Sequence, residues 1–315
     1  MRLGIDLGGT KIEIIALSDS GTELLRERVA TPQTHYEDTV RAIRDLVFAS
    51  EAKLGRKGSV GIAIPGAVSR ETGLVKNANS TNLIGHPLDK DLGAALRRTV
   101  RVENDANCFT LSEATDGAGV GYDVVFGIIA GTGVGGGICI EGRVLSGAHG
   151  IAGEWGHNPL PAPRRLTQEV DNPPRCYCGR SGCIESWCSG PSLVRLFKER
   201  TGRDLSVPEI VGAAKGGDEA AIGELENFYD RFARSIASVV SILDPDVIVM
   251  GGGLSNIEAL YTALPPRVER YAFTPEGPTN IVKNTHGDSS GVRGAAWLWP
   301  EEEVATALPK VAASK

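Results

Sequence analysis

The apolar and polar positions along the chain form one pattern twice. Each copy is an apolar strand, a Gly/Thr turn and a second apolar strand: residues 3–7, 8–10 and 12–17, then 124–130, 131–133 and 137–140. Short apolar runs joined by a glycine turn predict β-hairpins. Their recurrence indicates a weak internal duplication, and hence two α/β domains with a boundary near residues 117–122.

Further apolar segments predict the other elements. Helices are expected at residues 36–54, 106–118, 191–201, 207–215, 218–242 and 256–271, and strands near 22–30, 60–64 and 247–250. Residues 1–118 should form a small N-terminal domain, completed by residues 288–300, and residues 119–287 a larger one. Residues 301–315 carry little apolar pattern and are expected to fray.

Composition narrows the class of protein. A chain of 315 residues has room for about two domains. Its net charge of −6 and the absence of a Lys/Arg cluster argue against nucleic-acid binding. The longest uncharged stretch, residues 124–140, is split by glycines, which argues against a membrane helix. With no signal peptide expected at Met1, a cytoplasmic protein is predicted.

The first Gly/Thr turn has the chemistry of a phosphate loop. Gly8 and Gly9 would let backbone N–H groups reach phosphate oxygens. Thr10 adds a hydroxyl donor, Lys11 a cation and Asp6 a carboxylate ligand for Mg²⁺. An ordinary hairpin is the alternative interpretation, because the sequence matches neither the Walker pattern nor a dinucleotide motif.

Two later glycine loops favour the nucleotide interpretation. Gly131-Thr132-Gly133 repeats the first turn in the second domain, so the two turns could grip a triphosphate from both sides. Gly251-Gly252-Gly253 follows a buried strand and would let an adenine ring lie against the backbone, although a simple strand-to-helix turn would look the same.

Three such loops in this order resemble the phosphate-1, phosphate-2 and adenosine segments of the sugar kinase, hsp70 and actin superfamily. Residues 128–157, ending in Gly153-Glu154-Trp155-Gly156-His157, are similar to the signature of the ROK family of repressors and sugar kinases. The resemblance covers residues 1–300. It implies an actin-like (ribonuclease H-like) α/β fold with a cleft between two domains, binding of ATP and Mg²⁺, and phosphorylation of a hexose.

Asn104-Asp105 marks the expected acceptor site. A hydroxyl needs a base to become a nucleophile, and Asp105 offers a carboxylate where a strand meets a helix. The residues alone favour a helix cap instead. The family resemblance implies that Asp105 is the catalytic base. It also implies sugar contacts, which fall on Gly66, Thr81, Asn104, Glu154, His157 and Glu185.

Three cysteines lie close together as Cys176, Cys178 and Cys183. Three thiolates in a glycine-rich turn suggest tetrahedral zinc, which requires a fourth ligand. The resemblance gives that place to His157 and implies a structural zinc that holds His157 and Glu185. Free buried cysteines are the alternative. The remaining cysteines, Cys108, Cys139 and Cys188, are expected in the core.

The hexose is predicted to be fructose, with mannose as a second substrate, because several sequence segments resemble those of the bacterial fructokinase branch of the family. Glucokinase and N-acetylhexosamine kinase are the alternatives, followed by a sugar sensor without catalysis. A DNA-binding repressor is not expected, since the first loop starts at residue 6. Residues 82–87 depart from the family pattern beside the expected sugar site, and no role is predicted for residues 162–174. The resemblance also implies a homodimer.

Overall fold

The computed structural model describes residues 1–78, 81–163, 168–273, 277–287 and 290–307. The chain divides into two compact units of similar length. The first comprises Met1–Val120, Gly142–Ala152 and the described part of Asp288–Lys315. The second comprises Gly121–Glu141 and Gly153–Gly287. Gly142–Ala152 thus clusters with the first unit, whereas the sequence placed it in the second.

The first unit is built on one mixed sheet. The strands of this sheet are β1 (Arg2–Leu7), β2 (Lys11–Leu17), β3 (Glu23–Ala30), β4 (Ser59–Ile64) and β7 (Val100–Asn104). The unit also contains β5 (Ala67–Val68), β6 (Val75–Lys76) and β10 (Arg143–Val144), which lie outside this sheet. The order is β3-β2-β1-β4-β7, in which β1–β3 are antiparallel and β4 and β7 run parallel to β1. The pair β5–β6 stands apart.

Helices cover this sheet. They are α1 (Tyr36–Leu54), α2 (Leu88–Leu96), α3 (Asp105–Asp116), α11 (Ser290–Trp297) and α12 (Glu301–Ala307), with a 3₁₀ turn at Thr81–Leu83. Glycines let α11 lie very close to its neighbours. A Cβ on Gly61 would stand 1.8 Å from the Ala295 carbonyl oxygen, and one on Gly294 would stand 1.6 Å from that of Cys108. Residues 290–297 therefore pack closely against the first unit, the domain that the sequence expected residues 288–300 to complete.

The second unit contains the other copy of the hairpin. Its strands are β8 (Val124–Ala130), β9 (Val134–Ile140), β11 (Val247–Gly251) and β12 (Ile281–Lys283). β8 pairs antiparallel with β9 and parallel with β11, which pairs parallel with β12. The hairpin that the repeated sequence pattern predicts is therefore present in both units, and in each its first strand also has a parallel neighbour.

The helices of the second unit follow β9. They are α4 (Gln168–Asp171), α5 (Glu185–Cys188), α6 (Gly190–Thr201), α7 (Val207–Lys215), α8 (Glu219–Leu243), α9 (Leu260–Ala263) and α10 (Pro265–Glu269), with 3₁₀ turns at Trp155–His157 and Gly253–Asn256. α8 starts at the Asp218 side chain, which accepts a hydrogen bond from the Ala221 N–H at 3.0 Å. α7 starts with a capping box between Ser206 and Glu209.

One expectation about a helix was wrong. The helix predicted over residues 256–271 is broken into separate turns, because Pro265 and Pro266 lack N–H groups and instead begin α10. Within the tail that the sequence expected to fray, α12 occupies Glu301–Ala307. Among the described residues, no helix is both long enough and apolar enough to cross a membrane.

Candidate active site

The predicted site residues of the first unit lie at one edge of its sheet. β1, β4 and β7 are adjacent and parallel, so their carboxyl ends meet at the same edge. The loop that begins at Gly8 follows β1, Gly66 follows β4, and Asn104-Asp105 ends β7 and begins α3. Ligands bind at this edge in open α/β sheets.

Asn104 and Asp105 are fixed by hydrogen bonds at the start of α3. The Asn104 Oδ1 accepts from the N–H groups of Ala106 at 2.9 Å and Asn107 at 3.3 Å, so Asn104 is the helix cap. Asp105 Oδ1 also accepts from Ala106 N–H, at 2.8 Å. Asn104 Nδ2 donates to the Gly66 carbonyl at 3.0 Å, which joins two predicted site residues.

The loop after β1 is a tight hairpin whose tip is exposed. Gly8 N–H donates to the Lys11 carbonyl at 3.0 Å, and Thr31 Oγ1 donates to the Gly8 carbonyl at 2.7 Å. Gly9, Thr10 and Lys11 are exposed. The carbonyl groups thus face β3 and the segment after it, an arrangement that suits a loop whose other side meets an anion.

Asp6, next to this loop, is partly buried. Burial raises the pKa of its carboxyl, Glu13 raises it further, and Lys11 opposes both. Glu13 is the antiparallel partner of Asp6 in β2. A carboxylate that is poorly solvated and has an acidic neighbour gains most from a nearby cation, which fits the predicted Mg²⁺ ligand.

In the second unit, two of the three glycine loops lie side by side. The parallel strands β8 and β11 end together, since Ile129 pairs with Gly251. A Cβ on Gly252, whose φ is +77°, would stand 2.5 Å from the Ala130 carbonyl oxygen, and one on Gly131 would stand 3.6 Å from the Gly253 nitrogen. The predicted phosphate-2 and adenosine loops are therefore brought together.

The segment that carries Glu154 and His157 lies directly against β9. A Cβ on Gly156 would stand 1.8 Å from the Val134 carbonyl oxygen, and one on Gly153 would stand 2.4 Å from that of Gly136. The Trp155 Nε1 donates to the Gly135 carbonyl at 3.0 Å. Glu154 is exposed and His157 is partly buried, so buried Trp155 anchors the segment while its neighbours stay accessible.

Glu185 connects this region to the phosphate-2 loop. Its Oε2 accepts a hydrogen bond from Val134 N–H at 3.0 Å, and a Cβ on Gly133 would stand 2.5 Å from the same oxygen. The Cys176 thiol points to the other oxygen at 3.8 Å. A side chain at residue 133 would push the Glu185 carboxylate aside.

The three clustered cysteines and His157 form one group. Their ligand atoms all lie within 4.8 Å of one another. The Cys178 and Cys183 sulfurs are 3.6 Å apart, and the Cys176 sulfur is 3.5 Å from His157 Nδ1. Tetrahedral zinc with Zn–S bonds of about 2.3 Å separates its sulfur ligands by roughly 3.8 Å, so the donor set and its spacing fit zinc.

Local hydrogen bonds favour a thiolate in this group. The backbone and side chain of Arg180 lower the pKa of the Cys178 thiol to about 6, whereas burial raises that of Cys183 to about 12. A metal ion binds the thiolate form. The other three cysteines, Cys108, Cys139 and Cys188, are buried, as expected, and form no disulfide.

The structure adds residues that the sequence did not single out. Tyr177 OH lies 3.0 Å from His157 Nε2. Tyr177 is largely exposed; partial desolvation of its hydroxyl, followed by the nearby Glu185 and Glu154, raises its pKa to about 12. Glu103 bonds to Asn107 and Ser146 beside Asp105. The position of Tyr177 inside the cysteine cluster was the only available signal for it. The Thr81 side chain lies outside the described residues.

The segments without a predicted role are anchored by contacts within their own units. The His86 ring, from residues 82–87, stacks on Tyr36 with centroids 3.9 Å apart. Glu169, from residues 162–174, binds Arg231 and Arg234 of α8 at 3.0 and 2.9 Å.

The two mixed sheets, with a Gly/Thr turn after β1 and after β8, define an actin-like α/β fold, as predicted. A family model described as the ROK family matches residues 2–302. The chain belongs to the ROK family.

Relatives of known structure support the fold. A ROK hexokinase from Thermus thermophilus has a TM-score of 0.82 and 30% identity, covering 94% of this chain and 97% of that one. A ROK glucokinase from Streptomyces griseus, solved with glucose and AMPPNP, has a TM-score of 0.72 and 30% identity, with the same coverage.

Sequence relatives change the expected substrate. The N-acetyl-D-glucosamine kinase of Pectobacterium carotovorum is 41% identical over 299 residues, which cover 95% of this chain and 98% of the relative. An Escherichia coli protein of the same name is 42% identical over 300 residues, covering 95% and 99%. These relatives favour the N-acetylhexosamine alternative, and the fructokinase prediction is corrected accordingly.

Proposed function

We propose that the protein is an ATP-dependent N-acetyl-D-glucosamine kinase that phosphorylates the primary hydroxyl of the sugar. The observation that carries the proposal is Asp105, held by the first turn of α3 at the same sheet edge as the glycine loop after β1. The 41% identity to a kinase of that name over nearly the whole chain supports the choice of sugar.

Asp105 is the base in this proposal. Its carboxylate takes the proton from the sugar hydroxyl as the oxygen attacks the γ-phosphorus. The Ala106 N–H, 2.8 Å from Asp105 Oδ1 at the start of α3, holds the carboxylate in place for this role. Asn104, fixed by Gly66, binds a sugar hydroxyl beside it.

The nucleotide is bound by the glycine loops. In the first unit, the exposed Gly9, Thr10 and Lys11 offer backbone N–H groups, a hydroxyl and a cation to phosphate, and Asp6 offers its carboxylate to Mg²⁺. In the second unit, Gly131-Thr132-Gly133 binds phosphate, and the adjacent Gly251-Gly252-Gly253 supports the adenine.

Three side chains of the second unit recognise the sugar: Glu154, His157 and Glu185. A pocket that pairs each hydroxyl rejects the wrong epimer, because an unpaired buried polar group costs about 1–3 kcal/mol. Zinc held by His157, Cys176, Cys178 and Cys183 would leave no open ligand position. Such a zinc ion would fix the His157 ring, whose Nδ1 faces Cys176 and whose Nε2 faces Tyr177.

The proposal is tested by following ADP release with N-acetylglucosamine, N-acetylmannosamine, glucose, mannose and fructose. N-acetylglucosamine should give the highest kcat/KM. A higher value for any other sugar would overturn the choice of substrate, and background rates on all five would overturn the kinase assignment. Asp105→Asn should fold normally and lose nearly all turnover; more than about a tenth of the wild-type kcat would refute the base.

The metal is tested separately from activity. Protein purified without added metal should contain about one equivalent of zinc per chain. Cys176→Ser should lower that content, and the change of the buried Cys188 to Ser should not, because Cys188 lies outside the group. Less than about a tenth of an equivalent in the wild-type protein would favour free thiols.

A further inference from the structure

Glu103 lies one residue before Asn104-Asp105, and its carboxylate accepts three hydrogen bonds. Oε1 accepts from the Asn104 N–H at 2.9 Å and from Asn107 Nδ2 at 3.0 Å. Oε2 accepts from Ser146 Oγ at 2.7 Å. The carboxylate thus joins the end of β7, the first turn of α3 and the segment Gly142–Ala152.

These hydrogen bonds hold residues on either side of Asp105. The helix begins at Asp105, and Asn107 lies in its first turn, where backbone N–H groups have no partner within the helix. The Asn104 side chain caps two of those groups. Glu103 in turn fixes the Asn104 backbone and the Asn107 side chain, so it holds the helix start from both sides of Asp105.

Asn107 shows that this arrangement has a cost in stability. The residue is 3% exposed, and its Oδ1 has no hydrogen-bond partner among the described residues. A buried polar atom without a partner destabilises a fold by about 1–3 kcal/mol, so an apolar residue would serve a merely structural helix start better. The Asn107 side chain instead donates a hydrogen bond through its Nδ2 to Glu103.

We propose that Glu103 is a positioning residue for phosphoryl transfer, and that it acts by fixing Asn104 and Asn107 so that Asp105 meets the acceptor hydroxyl. This inference rests on the proposed role of Asp105 as the base. A misplacement of about 1 Å at a reacting group costs on the order of 10²-fold in rate, so the start of α3 must be held closely.

Two substitutions of Glu103 separate the effect of its hydrogen bonds from the effect of its negative charge. Glu103→Ala removes all three bonds and should lower kcat for N-acetylglucosamine by about 10²-fold, with the KM for ATP unchanged. Glu103→Gln keeps an oxygen for the Asn104 and Asn107 donors and offers its NH₂ to Ser146 Oγ, which then accepts. It should therefore retain at least about a third of the wild-type kcat.

A double-mutant cycle shows whether Glu103 acts through Asp105. In the Asp105→Asn background, Glu103→Ala should lower the residual rate by less than about threefold, because residues that serve one step are not additive. Independent, multiplying effects would overturn the proposal, as would a folded Glu103→Ala with more than about a third of the wild-type kcat. If Asp105→Asn itself stays active, the base assignment fails instead, and the single variant shows this directly.

A second variant in α3 controls for general loosening of the helix. Glu113 is fully buried and accepts hydrogen bonds from Ser290 Oγ at 2.7 Å and Ala118 N–H at 3.0 Å. Glu113→Gln should lower Tm at least as much as Glu103→Ala does, while kcat stays within about threefold of wild type. An equal loss of kcat in both variants would show that α3 stability alone matters, and would overturn the proposal.

Discussion

Glu185 Oε2 accepts a hydrogen bond from the Val134 N–H at 3.0 Å, so one carboxylate contacts the phosphate-2 loop while its other oxygen lies 3.8 Å from the Cys176 sulfur. The residue was expected as a sugar ligand held in place by the zinc site. Its position means that the loop and the cysteine cluster share one side chain.

Substitutions at Glu185 should separate these two contacts. Glu185→Gln keeps an oxygen that can accept from Val134, so the KM for ATP should stay within about threefold while kcat/KM for the sugar falls by about 10²-fold. Glu185→Ala loses both contacts and should also raise the KM for ATP. Steady-state kinetics, with ATP and the sugar varied in turn, will measure these changes in KM and kcat/KM. Equal KM values for ATP in the two variants would contradict the contact between Glu185 and the loop.

Gly156→Ala should displace the segment that carries Glu154 and His157. The added Cβ would stand 1.8 Å from the Val134 carbonyl oxygen, so the backbone must move away from β9. We expect a loss of about 10²-fold in kcat/KM together with a lower zinc content.

The matched control is Gly212→Ala. Gly212 lies in α7 with nothing within 4 Å of the added Cβ. Alanine is the better helix former, so stability should rise by up to about 1 kcal/mol with unchanged kinetics. Full activity in Gly156→Ala would show that the close approach is not needed.

Asp6→Asn should make the protein more stable and inactive. Burial and Glu13 raise the pKa of Asp6 in the folded protein above that in the unfolded chain. The contribution of Asp6 to stability is therefore complete only below the unfolded-chain pKa, and it is lost as the pH rises through the pKa of the folded protein. Asparagine avoids that loss. At pH 7, Tm should rise by about 1–3 °C, and the gain should vanish below about pH 3, where aspartate is protonated in both states.

Asp19→Asn should change Tm in the opposite direction. The N-terminal ammonium, 3.0 Å away, lowers the pKa of Asp19. Its stabilising contribution is therefore present at neutral pH and lost on acidification, so the variant should lower Tm at pH 7 and converge with wild type in acid. Scanning calorimetry across this pH range measures the Tm of both variants. A neutral-pH Tm for Asp6→Asn below that of wild type would contradict the assignment.

Glu169→Ala should destabilise the second unit without touching the site. Glu169 is 4% exposed as a side chain and binds Arg231 and Arg234, which are 12% and 2% exposed. Removing one partner of a buried ion pair typically costs about 3–5 kcal/mol. Urea denaturation should show this, with kcat at 20 °C within about threefold of wild type.

An exposed ion pair serves as its control. Arg195 and Glu199 pair at 3.1 Å on the surface of α6. Glu199→Ala should cost no more than about 1 kcal/mol. A similarly small cost for Glu169→Ala would mean that residues 162–174 are not anchored through this carboxylate.

The sequence predicted most of what depends on neighbours along the chain. The two hairpins, α1, α7 and α8 came from apolar spacing, glycine turns and capping residues, all of which act within a few residues. The same local signals wrongly predicted a continuous helix over residues 256–271, because the apolar spacing continues across Pro265 and Pro266. Helical hydrogen bonding does not continue there, because neither proline has an N–H.

The candidate site was predicted in part for the same reason. The glycine loops and the cysteine spacing are compact sequence patterns, and the resemblance added His157 and Asp105. Nothing local pointed to Glu103, whose contact with Ser146 joins residues 43 positions apart. Nor could the sequence show that Tyr177 turns its hydroxyl toward His157, 20 positions away.

The sequence by itself thus determined the fold class, the family and the chemical types of the loops, because these depend on periodicity and on short motifs. Only the tertiary structure decided which side chains hold those loops in place. Gly156 against Val134 and Glu185 against the phosphate-2 loop are close approaches between segments distant along the chain. Such contacts arise when strands and turns pack to the density of a protein interior, a property of the folded chain and not of any segment alone.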